Sequence, residues 1–429
     1  MDLDKFFIVL SLLIHIDSTE KKLKNSQKMQ RGLILQGGGT LGAYEAGVFR
    51  GLYEQQTKAN KETGIEGQPL FDIVAGTSIG AINGAILVSH VKENGTWEGS
   101  DKRLIEFWDD ISKRIGSSFD WTSQWYKFLN PWNRNNEDEF RKILKKILPQ
   151  YIKFPLKTNY KDGEPRLLVV SVDMLEGESV VFDSYPKKEK DDCRRTEYGE
   201  IVHAENDWQH KYVIDYDGIT LEHILASSAV PIYSSPVSIP VRKVGSGLEE
   251  HYFWDGALLS NTPIEEFIQS YKQFWPINGY YTPDIDMYIV NILSSKDNSQ
   301  ILPRNFDEKI GRMNSILFSD RTSFEQNIIT QNTDYLNLIN TLIILAKKNG
   351  SAEDELQKIL EHVTQSQFKT GDKMTYGDLL VRNPHTHITK ISRGANTKVM
   401  GWSELANLDA HKIRALIDEG YADCQKSLI

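Results

Sequence analysis

The sequence predicts an α/β protein with a mostly parallel central sheet covered by helices on both faces. Short apolar runs typical of strands occur near residues 32–36, 71–75, 166–173, 179–183 and 286–293. Stretches with helical periodicity alternate with them, near residues 43–56, 79–91 and 138–148. At 429 residues, the chain is long enough for one large domain with a sizeable appendage.

The first predicted strand, residues 32–36, leads into a glycine-rich loop that contains Gly37, Gly38, Gly39 and Gly42. Glycines leave backbone N–H groups unobstructed at the start of a helix, which suits an oxyanion or a phosphate equally well. The spacing through Gly37, Gly39 and Gly42 also fits the G-x-G-x-x-G fingerprint of a dinucleotide-binding protein. The loop therefore indicates binding of negative charge and leaves the kind of charge open.

The predicted helix at residues 43–56 carries small residues at a spacing of four. Ala43, Gly47 and Gly51 fall on one of its faces. We expect this face to let another helix or strand approach closely, which is a packing feature that requires no chemistry.

The predicted strand at residues 71–75 is followed by a G-x-S-x-G motif made of Gly76, Ser78 and Gly80. A serine at a sharp strand-to-helix turn is strained, and its hydroxyl is presented to solvent at the start of the following helix. Side chains at the flanking positions would collide with the neighbouring strand and helix, so both are glycines. The motif predicts Ser78 as a nucleophile on an elbow shaped by Gly76 and Gly80.

An aspartate, Asp255, follows an aromatic run at residues 252–254 and precedes Gly256. A carboxylate at the end of an apolar strand is a candidate base in a partly dry site, although an Asp-Gly pair is more often a turn. We expect partial burial against Tyr252 and Trp254 to raise the pKa of Asp255.

In this order, the glycine-rich loop, the G-x-S-x-G motif and the Asp255-Gly256-Ala257 motif resemble the patatin-like phospholipases. Asn261 and Pro263 follow the aspartate, as an Asn and a Pro do in that family. The conjunction of three motifs is far more specific than any one of them.

The likeness extends beyond the motifs. Residues 226–231 and 235–237 look like the segment that precedes the aspartate in that family. The resemblance covers roughly residues 31–295, between an N-terminal segment at 1–30 and a mainly helical C-terminal extension or cap at 296–429.

The resemblance implies a three-layer α/β/α sandwich that hydrolyses acyl esters of phospholipids or lysophospholipids at a membrane surface, without a metal or other cofactor. It implies a catalytic dyad of Ser78 and Asp255 with no catalytic histidine. It also implies that the oxyanion loop supplies its donors from Gly37, Gly38 and Gly39, with Gly42 shaping the loop. One position departs from the family, because Leu41 stands where the loop usually carries Arg or Lys. We expect this change to affect substrate preference and efficiency.

Three alternatives stay open from the sequence. A Ser-Asp-His esterase or acyltransferase would use His385 or His387, which follow Asp255 in the chain. A dinucleotide-binding oxidoreductase is disfavoured, because no clean strand ends in Asp or Glu about 20 residues beyond Gly42. A lipid-binding protein without catalysis is compatible with the same motifs.

Composition limits the partners and the compartment. The net charge of −9 argues against nucleic acid, and contact with an anionic membrane would require a local patch. Only Cys193 and Cys424 are present, which indicates no disulfide framework and fits a reducing compartment. We expect a cytoplasmic protein with peripheral membrane contact.

The apolar run at residues 6–16 is shorter than the ~20 residues of a spanning helix. It leaves secretion or an N-terminal membrane anchor open. The aromatic-rich stretch at residues 97–132 is interpreted as core filling, with a lid around Trp121 and Trp125 as the alternative.

Beyond about residue 301 the pattern turns helical and polar, most clearly at residues 335–348 and 352–364. We expect this region to serve as a cap, a surface for self-association or a site for a protein partner. The sequence contains no cluster with metal-ligand spacing, so no metal is predicted.

Overall fold

The computed structural model describes residues 29–62, 64, 69–115, 139–185, 200–204, 207–214, 218–231, 234–243, 248–277, 282–293, 302–318, 322–348, 353–367, 373–394 and 408–428. The predicted N-terminal apolar run and the predicted lid tryptophans lie outside these residues. Within the described part of the chain, no helix is long and apolar enough to cross a membrane.

Strands and helices alternate in the first part of the chain. The elements are β1 (Gln30–Leu35), α1 (Gly42–Glu62), β2 (Ile73–Thr77), α2 (Ile79–Asn94), α3 (Ser100–Ile115), α4 (Glu139–Tyr151), β3 (Arg166–Asp173), β4 (Glu178–Asp183), β5 (Glu200–Ala204) and β6 (Asp207–Ile214).

Helices predominate toward the C-terminus. The elements are α5 (Leu221–Ser227), β7 (Val237–Lys243), β8 (Leu248–Asp255), α6 (Ile264–Ile277), β9 (Ile285–Asn291), α7 (Phe306–Phe318), α8 (Thr322–Lys348), α9 (Glu353–Leu360), β10 (Val363–Gln367), β11 (Lys373–Thr375), α10 (Tyr376–Arg382), β12 (Thr386–Ser392) and α11 (Ala410–Ser427).

The central sheet has ten strands in the order β12-β9-β1-β2-β3-β4-β6-β5-β7-β8. Its first five strands are all parallel, so their carboxyl ends meet at one edge. Strand β8 also pairs antiparallel with β3, at residues just beyond those that pair with β2. The six strands from β3 to β8 therefore close into a ring, which brings the end of β8 beside the end of β2.

Apolar cores lie on both faces of the sheet, as the predicted sandwich requires. Leu33, Leu35 and Val74 point toward α1 to α5 and α11, whereas Ile34 and Ile73 point toward α6. The alternation follows from the two-residue period of a strand. Trp97, Phe107 and Trp108 are buried in the first core, which confirms the core-filling interpretation for this part of the aromatic stretch.

The small face of α1 packs directly on α11, which confirms the prediction of a close approach. A Cβ atom placed on Gly47 would lie 1.9 Å from the Ile417 carbonyl oxygen. One placed on Gly420 would lie 2.0 Å from the carbonyl oxygen of Tyr44. The two helices therefore touch backbone to backbone, and side chains at these positions would force them apart.

The predicted boundary at residue 295 is crossed by two later elements. Strand β12 extends the parallel sheet next to β9, and α11 covers α1. The predicted helix at residues 335–348 is the second half of α8, and the one at 352–364 ends earlier, at Leu360. Part of the C-terminal region is thus an integral layer of the sandwich.

Candidate active site

Ser78 occupies a strained turn between β2 and α2. Its backbone has φ 56° and ψ −121°, and it is the only non-glycine residue with positive φ in the described part of the chain. A Cβ atom on Gly76 would lie 2.3 Å from the carbonyl of Gly80, and one on Gly80 would lie 2.3 Å from the Leu35 carbonyl oxygen. The geometry of the predicted elbow requires both glycines.

A serine from a distant segment fixes the elbow. The backbone N–H of Ser78 donates to Ser227 Oγ at 2.9 Å, and Ser227 Oγ donates to the Val170 carbonyl at 2.5 Å. Ser227 is the last residue of α5 and is fully buried. It connects the nucleophile turn to β3 and is a residue whose role the sequence did not reveal.

The ring closure of the sheet brings Asp255 to the elbow. Its backbone pairs with Ser171 of β3 and donates to the Ala229 carbonyl, and its Oδ1 accepts the N–H of Ala257 at 2.8 Å. Only 1% of the residue is exposed. Tyr252, one of the two aromatic residues expected to shield the carboxylate, is 37% exposed, and the backbone of Asp255 is held by β3 and the Ala229 segment.

Burial raises the pKa of Asp255 to about 7, and hydrogen bonds from the Ser78 hydroxyl and the Ala257 N–H partly offset this rise. The Oδ2 atom has no hydrogen-bond partner of normal length in the described part of the chain. The Ser78 hydroxyl therefore interacts with the carboxylate without a fully formed hydrogen bond to Oδ2. Such contacts are common in unliganded catalytic sites and tighten when substrate binds.

The glycine-rich loop lies directly beside Ser78. A Cβ atom on Gly37 would lie 3.1 Å from Ser78 Cβ. The N–H of Gly37, one of the three predicted oxyanion donors, donates to the Asn261 carbonyl at 3.1 Å and is therefore occupied in this structure. No acceptor faces the N–H groups of Gly38 and Gly39 among the described residues, which leaves these two as donors.

Asn261 holds the loop with its side chain as well as its backbone. Its Nδ2 donates to the Gly37 carbonyl at 3.0 Å and to the Phe318 carbonyl at 2.7 Å. Phe318 is the last residue of α7. One amide group therefore ties the loop to the C-terminal region of the chain.

Gln36 provides a second clamp on the loop. Its side-chain amide donates to Thr262 Oγ1 at 2.8 Å, and its carbonyl oxygen accepts the N–H groups of Ile292 and Leu293, each at 2.8 Å. These bonds join the ends of β1 and β9 to the segment that follows Asp255.

A buried polar network supports the loop from below. Asn83 donates to the Gly42 carbonyl at 2.9 Å and to Glu45 Oε2 at 2.8 Å, and it accepts the indole N–H of Trp108. Burial raises the pKa of Glu45 well above its usual value, which favours the neutral acid. Gly42 lies against Ile79, the residue after the nucleophile, where a Cβ atom would come within 2.4 Å.

Leu41 stands where the family usually has Arg or Lys. Its side chain is fully buried in the first core and places no charge at the site. The Leu41 side chain packs between the glycine-rich loop and the helices of that core. The backbone donors of the loop are retained without a basic side chain.

The two candidate histidines lie at the opposite edge of the sheet. Strand β12 runs parallel to β9, and Thr386 pairs with Ile285 at the beginning of that strand, whereas Ser78 follows the end of β2. His385 and His387 therefore cannot reach the dyad, which contradicts a Ser-Asp-His triad with either residue.

Among the described residues, one group of side chains has the spacing of a metal site, formed by Asp173, Glu176 and His251. Asp173 Oδ2 contacts His251 Nδ1 at 2.6 Å, and its Oδ1 accepts the N–H groups of Leu175 and Glu176. One oxygen of the Asp173 carboxylate is thus paired with His251, and the other closes the turn after β3.

Comparison with known proteins places this geometry in a family. The family model described as patatin-like phospholipase matches residues 33–268, more than half of the chain. The chain belongs to the patatin-like phospholipase family. No curated protein matches it in sequence. Among solved structures, VipD from Legionella pneumophila is 13% identical, with a TM-score of 0.31, over 94% of this chain and 67% of that one.

Membership of the patatin-like family makes the chain part of a group of lipid acyl hydrolases. The matched segment contains the glycine-rich loop, the elbow and Asp255. The dinucleotide-binding alternative is wrong. The glycine-rich loop lies within the segment that matches the patatin-like family, and β2 ends at Thr77 without the acidic residue that a dinucleotide-binding site requires there.

Proposed function

We propose that this patatin-like protein hydrolyses carboxylic ester bonds of phospholipids or lysophospholipids through a Ser78–Asp255 dyad. The observation that carries the proposal is the strained Ser78, which faces a buried carboxylate with a pKa of about 7. An ordinary aspartate, with a pKa near 3.8, would be a much weaker base for a serine hydroxyl.

In the first step, Ser78 Oγ attacks the ester carbonyl carbon while Asp255 accepts the hydroxyl proton. The carbonyl oxygen becomes an oxyanion, which accepts hydrogen bonds from the N–H groups of Gly38 and Gly39. Each well-placed donor contributes roughly 3–4 kcal/mol to the stability of such a transition state. The intermediate then collapses, and the departing alcohol takes the proton from Asp255, which leaves an acyl-enzyme on Ser78.

In the second step, Asp255 accepts a proton from water as the water oxygen attacks the acyl carbon. The second tetrahedral intermediate releases the fatty acid, and the proton returns from Asp255 to Ser78 Oγ. No cofactor enters either step, because one buried carboxylate transfers every proton.

The test is release of free fatty acid from mixed phospholipid vesicles, and of product from a short soluble acyl ester. We expect Ser78→Ala and Asp255→Asn to abolish turnover of both. Matched controls are Ser427→Ala and Asp162→Asn, which change exposed residues and should retain activity. Circular dichroism checks that each variant is folded.

A pH profile and covalent labelling sharpen the test. Because Asp255 must be ionised to act as a base, kcat/KM should fall about tenfold for each pH unit below about 7 and level off above it. A fluorophosphonate should label wild type on Ser78 and leave Ser78→Ala unlabelled. A folded wild type that neither labels nor hydrolyses either substrate would overturn the proposal in favour of a lipid-binding protein.

A further inference from the structure

The proposed proton transfers make no use of Glu45, a buried carboxyl group beside the glycine-rich loop. Glu45 lies in the first turn of α1 and is fully buried. Among the described residues, the groups that affect its ionisation are the Asn83 side chain and the Gln36 backbone, and neither of them is charged. Burying a carboxyl group without a cation costs free energy, so the contacts that it makes need an explanation.

The contacts of Glu45 hold both ends of the glycine-rich turn at residues 37–41. At one end, the backbone N–H of Gln36 donates a hydrogen bond to the Glu45 carboxyl group. At the other end, Asn83 Nδ2 donates to Glu45 Oε2 at 2.8 Å and to the Gly42 carbonyl at 2.9 Å. The carboxyl group and its amide partner therefore fix the backbone on each side of the two oxyanion donors.

The same amide joins the turn to the helix that begins after Ser78. Asn83 lies on α2, five positions after Ser78. The indole N–H of Trp108 donates to Asn83 Oδ1 at 3.1 Å. An indole nitrogen can only donate, so this bond assigns the amide oxygen to Trp108 and leaves the amide N–H groups for Gly42 and Glu45. The loop and the nucleophile are thus joined through one buried amide whose orientation is fixed.

We propose that Glu45 positions the oxyanion donors Gly38 and Gly39 relative to Ser78. It does so as a neutral acid, because burial raises the pKa of its carboxyl group well above the usual value. Oε2 then remains an acceptor for Asn83, and the proton resides on Oε1, which has no hydrogen-bond partner among the described residues. The inference rests on the proposed hydrolase activity and adds to it a residue that touches neither the substrate nor the reacting atoms.

The experiment compares two side chains of nearly equal size that differ in one accepting oxygen. Glu45→Gln keeps an acceptor for Asn83, whereas Glu45→Met fills the same space without one. On the short soluble ester, we expect kcat of Glu45→Gln to stay within about threefold of wild type. We expect kcat of Glu45→Met to fall about 10²-fold, with KM changed by less than about twofold, as for the misplacement of a catalytic group.

Two further variants control for folding. Leu52→Ala removes a buried side chain of α1 outside this network, so it should lower the melting temperature and leave kcat unchanged. Glu45→Asp retains the acid and shortens it by one methylene, so it should no longer reach Asn83 and should lower kcat at least about tenfold. Glu45→Asp therefore tests the inference even if Glu45→Met does not fold. Thermal unfolding and circular dichroism check every variant.

A pH profile separates positioning from proton transfer. In the proposed mechanism Asp255, with a pKa of about 7, sets the rise of kcat/KM with pH. We expect this rise to have the same midpoint in wild type and in Glu45→Gln. Loss of the rise in Glu45→Gln would mean that Glu45 itself accepts the proton, which would overturn the inference.

Fluorophosphonate labelling of Ser78 separates failure of this inference from failure of the proposed function. If wild type labels and hydrolyses the ester but a folded Glu45→Met is as fast as Glu45→Gln, the positioning role is wrong and the dyad stands. If Glu45→Gln is as slow as Glu45→Met, the accepting oxygen does not matter, and positioning through Asn83 is again wrong. A folded wild type that neither labels nor hydrolyses overturns the proposed function and this inference with it.

Discussion

Helices α11 and α8 both follow the segment that matches the family model, and they relate to the sandwich in opposite ways. Helix α11 meets α1 at facing glycines, where the backbones are in direct contact. Helix α8 contacts the domain through scattered side chains and exposes an apolar row on its other side. Each helix is 18 residues or longer, so length does not explain the difference.

The difference shows that the chain beyond residue 268 has more than one role. Helix α11 and β12 complete the layers that enclose the core. Helix α7 is linked to the glycine-rich loop, because the Phe318 carbonyl accepts a hydrogen bond from Asn261, which also binds the Gly37 carbonyl. Helix α8 presents a long row of exposed apolar side chains on the side that faces away from the core.

The contact between α1 and α11 should be the most sensitive to substitution. We expect Gly47→Val to destabilise the protein by about 4 kcal/mol or more, because the added side chain overlaps the Ile417 backbone. Urea unfolding measures the change. The control Gln55→Val adds the same β-branched residue at an exposed position of α1 and should cost only about 0.5 kcal/mol. Equal losses in the two variants would contradict the close contact.

The buried carboxylate of Asp255 should lower the free energy of unfolding by an amount that depends on pH. The pKa of Asp255 is 3.8 in its ordinary state and about 7 when buried, a difference that corresponds to ~4 kcal/mol at most. Above pH 7 the group is charged in both folded and unfolded chains, and burial penalises the folded one. Asp255→Asn should therefore stabilise the protein at pH 8, with a gain that shrinks below pH 7 and vanishes near pH 4.

Thermal unfolding of wild type and Asp255→Asn at these pH values tests the cost of the buried carboxylate. Asp162→Asn, at an exposed position, serves as the control and should show no comparable gain. A gain that is independent of pH would mean that the burial of charge is not its source.

Loss of the Asn261 hydrogen bonds that join α7 to the glycine-rich loop should lower turnover more than the free energy of unfolding. Asn261→Ala removes the donors to the carbonyls of Gly37 and Phe318, so the loop loses its fixed position beside Ser78. We expect kcat to fall about 10²-fold with little change in KM, as for the loss of an oxyanion donor. Asn337→Ala, which changes an exposed amide, is the control. An unchanged kcat in folded Asn261→Ala would remove this residue from the positioning of the loop.

Substitutions on the two sides of α8 should change the free energy of unfolding unequally, and the exposed side should show the smallest effect of all. Leu336→Ala should destabilise the protein by about 2 kcal/mol, because the side chain is buried. Leu338→Ala should change the free energy of unfolding by less than about 0.5 kcal/mol. Chemical denaturation of the two variants gives the comparison, and similar losses would mean that Leu338 is covered as well as Leu336.

Local sequence patterns predicted the elements that depend on neighbouring residues. The β2-to-α2 elbow, the close-packing face of α1 and five strands are recovered, because strain, small side chains and apolar runs are visible within a short window. Strands β5 to β8 and β12 were missed. Their pairing with other strands, rather than their own composition, decides that they belong to the sheet.

Contacts between distant segments explain the errors at the site. Ser227 lies 149 positions from Ser78, and Asn261 lies 224 positions from Gly37. No pattern within one segment shows that Asn261 occupies the Gly37 N–H or that Leu41 packs inward. The raised pKa of Asp255 was predicted in direction and follows from burial, but the hold of β3 and the Ala229 segment on its backbone was not predicted.

The order in which the site is assembled bears on how the protein is made. The ribosome delivers Ser78 and the glycine-rich loop early, Asp255 and Asn261 much later, and Phe318 later still. A growing chain that ends before Phe318 has its nucleophile but lacks one hydrogen-bond acceptor of the amide that secures the loop. The hydrogen bonds that hold the glycine-rich loop are therefore complete only after Phe318 has been added to the chain.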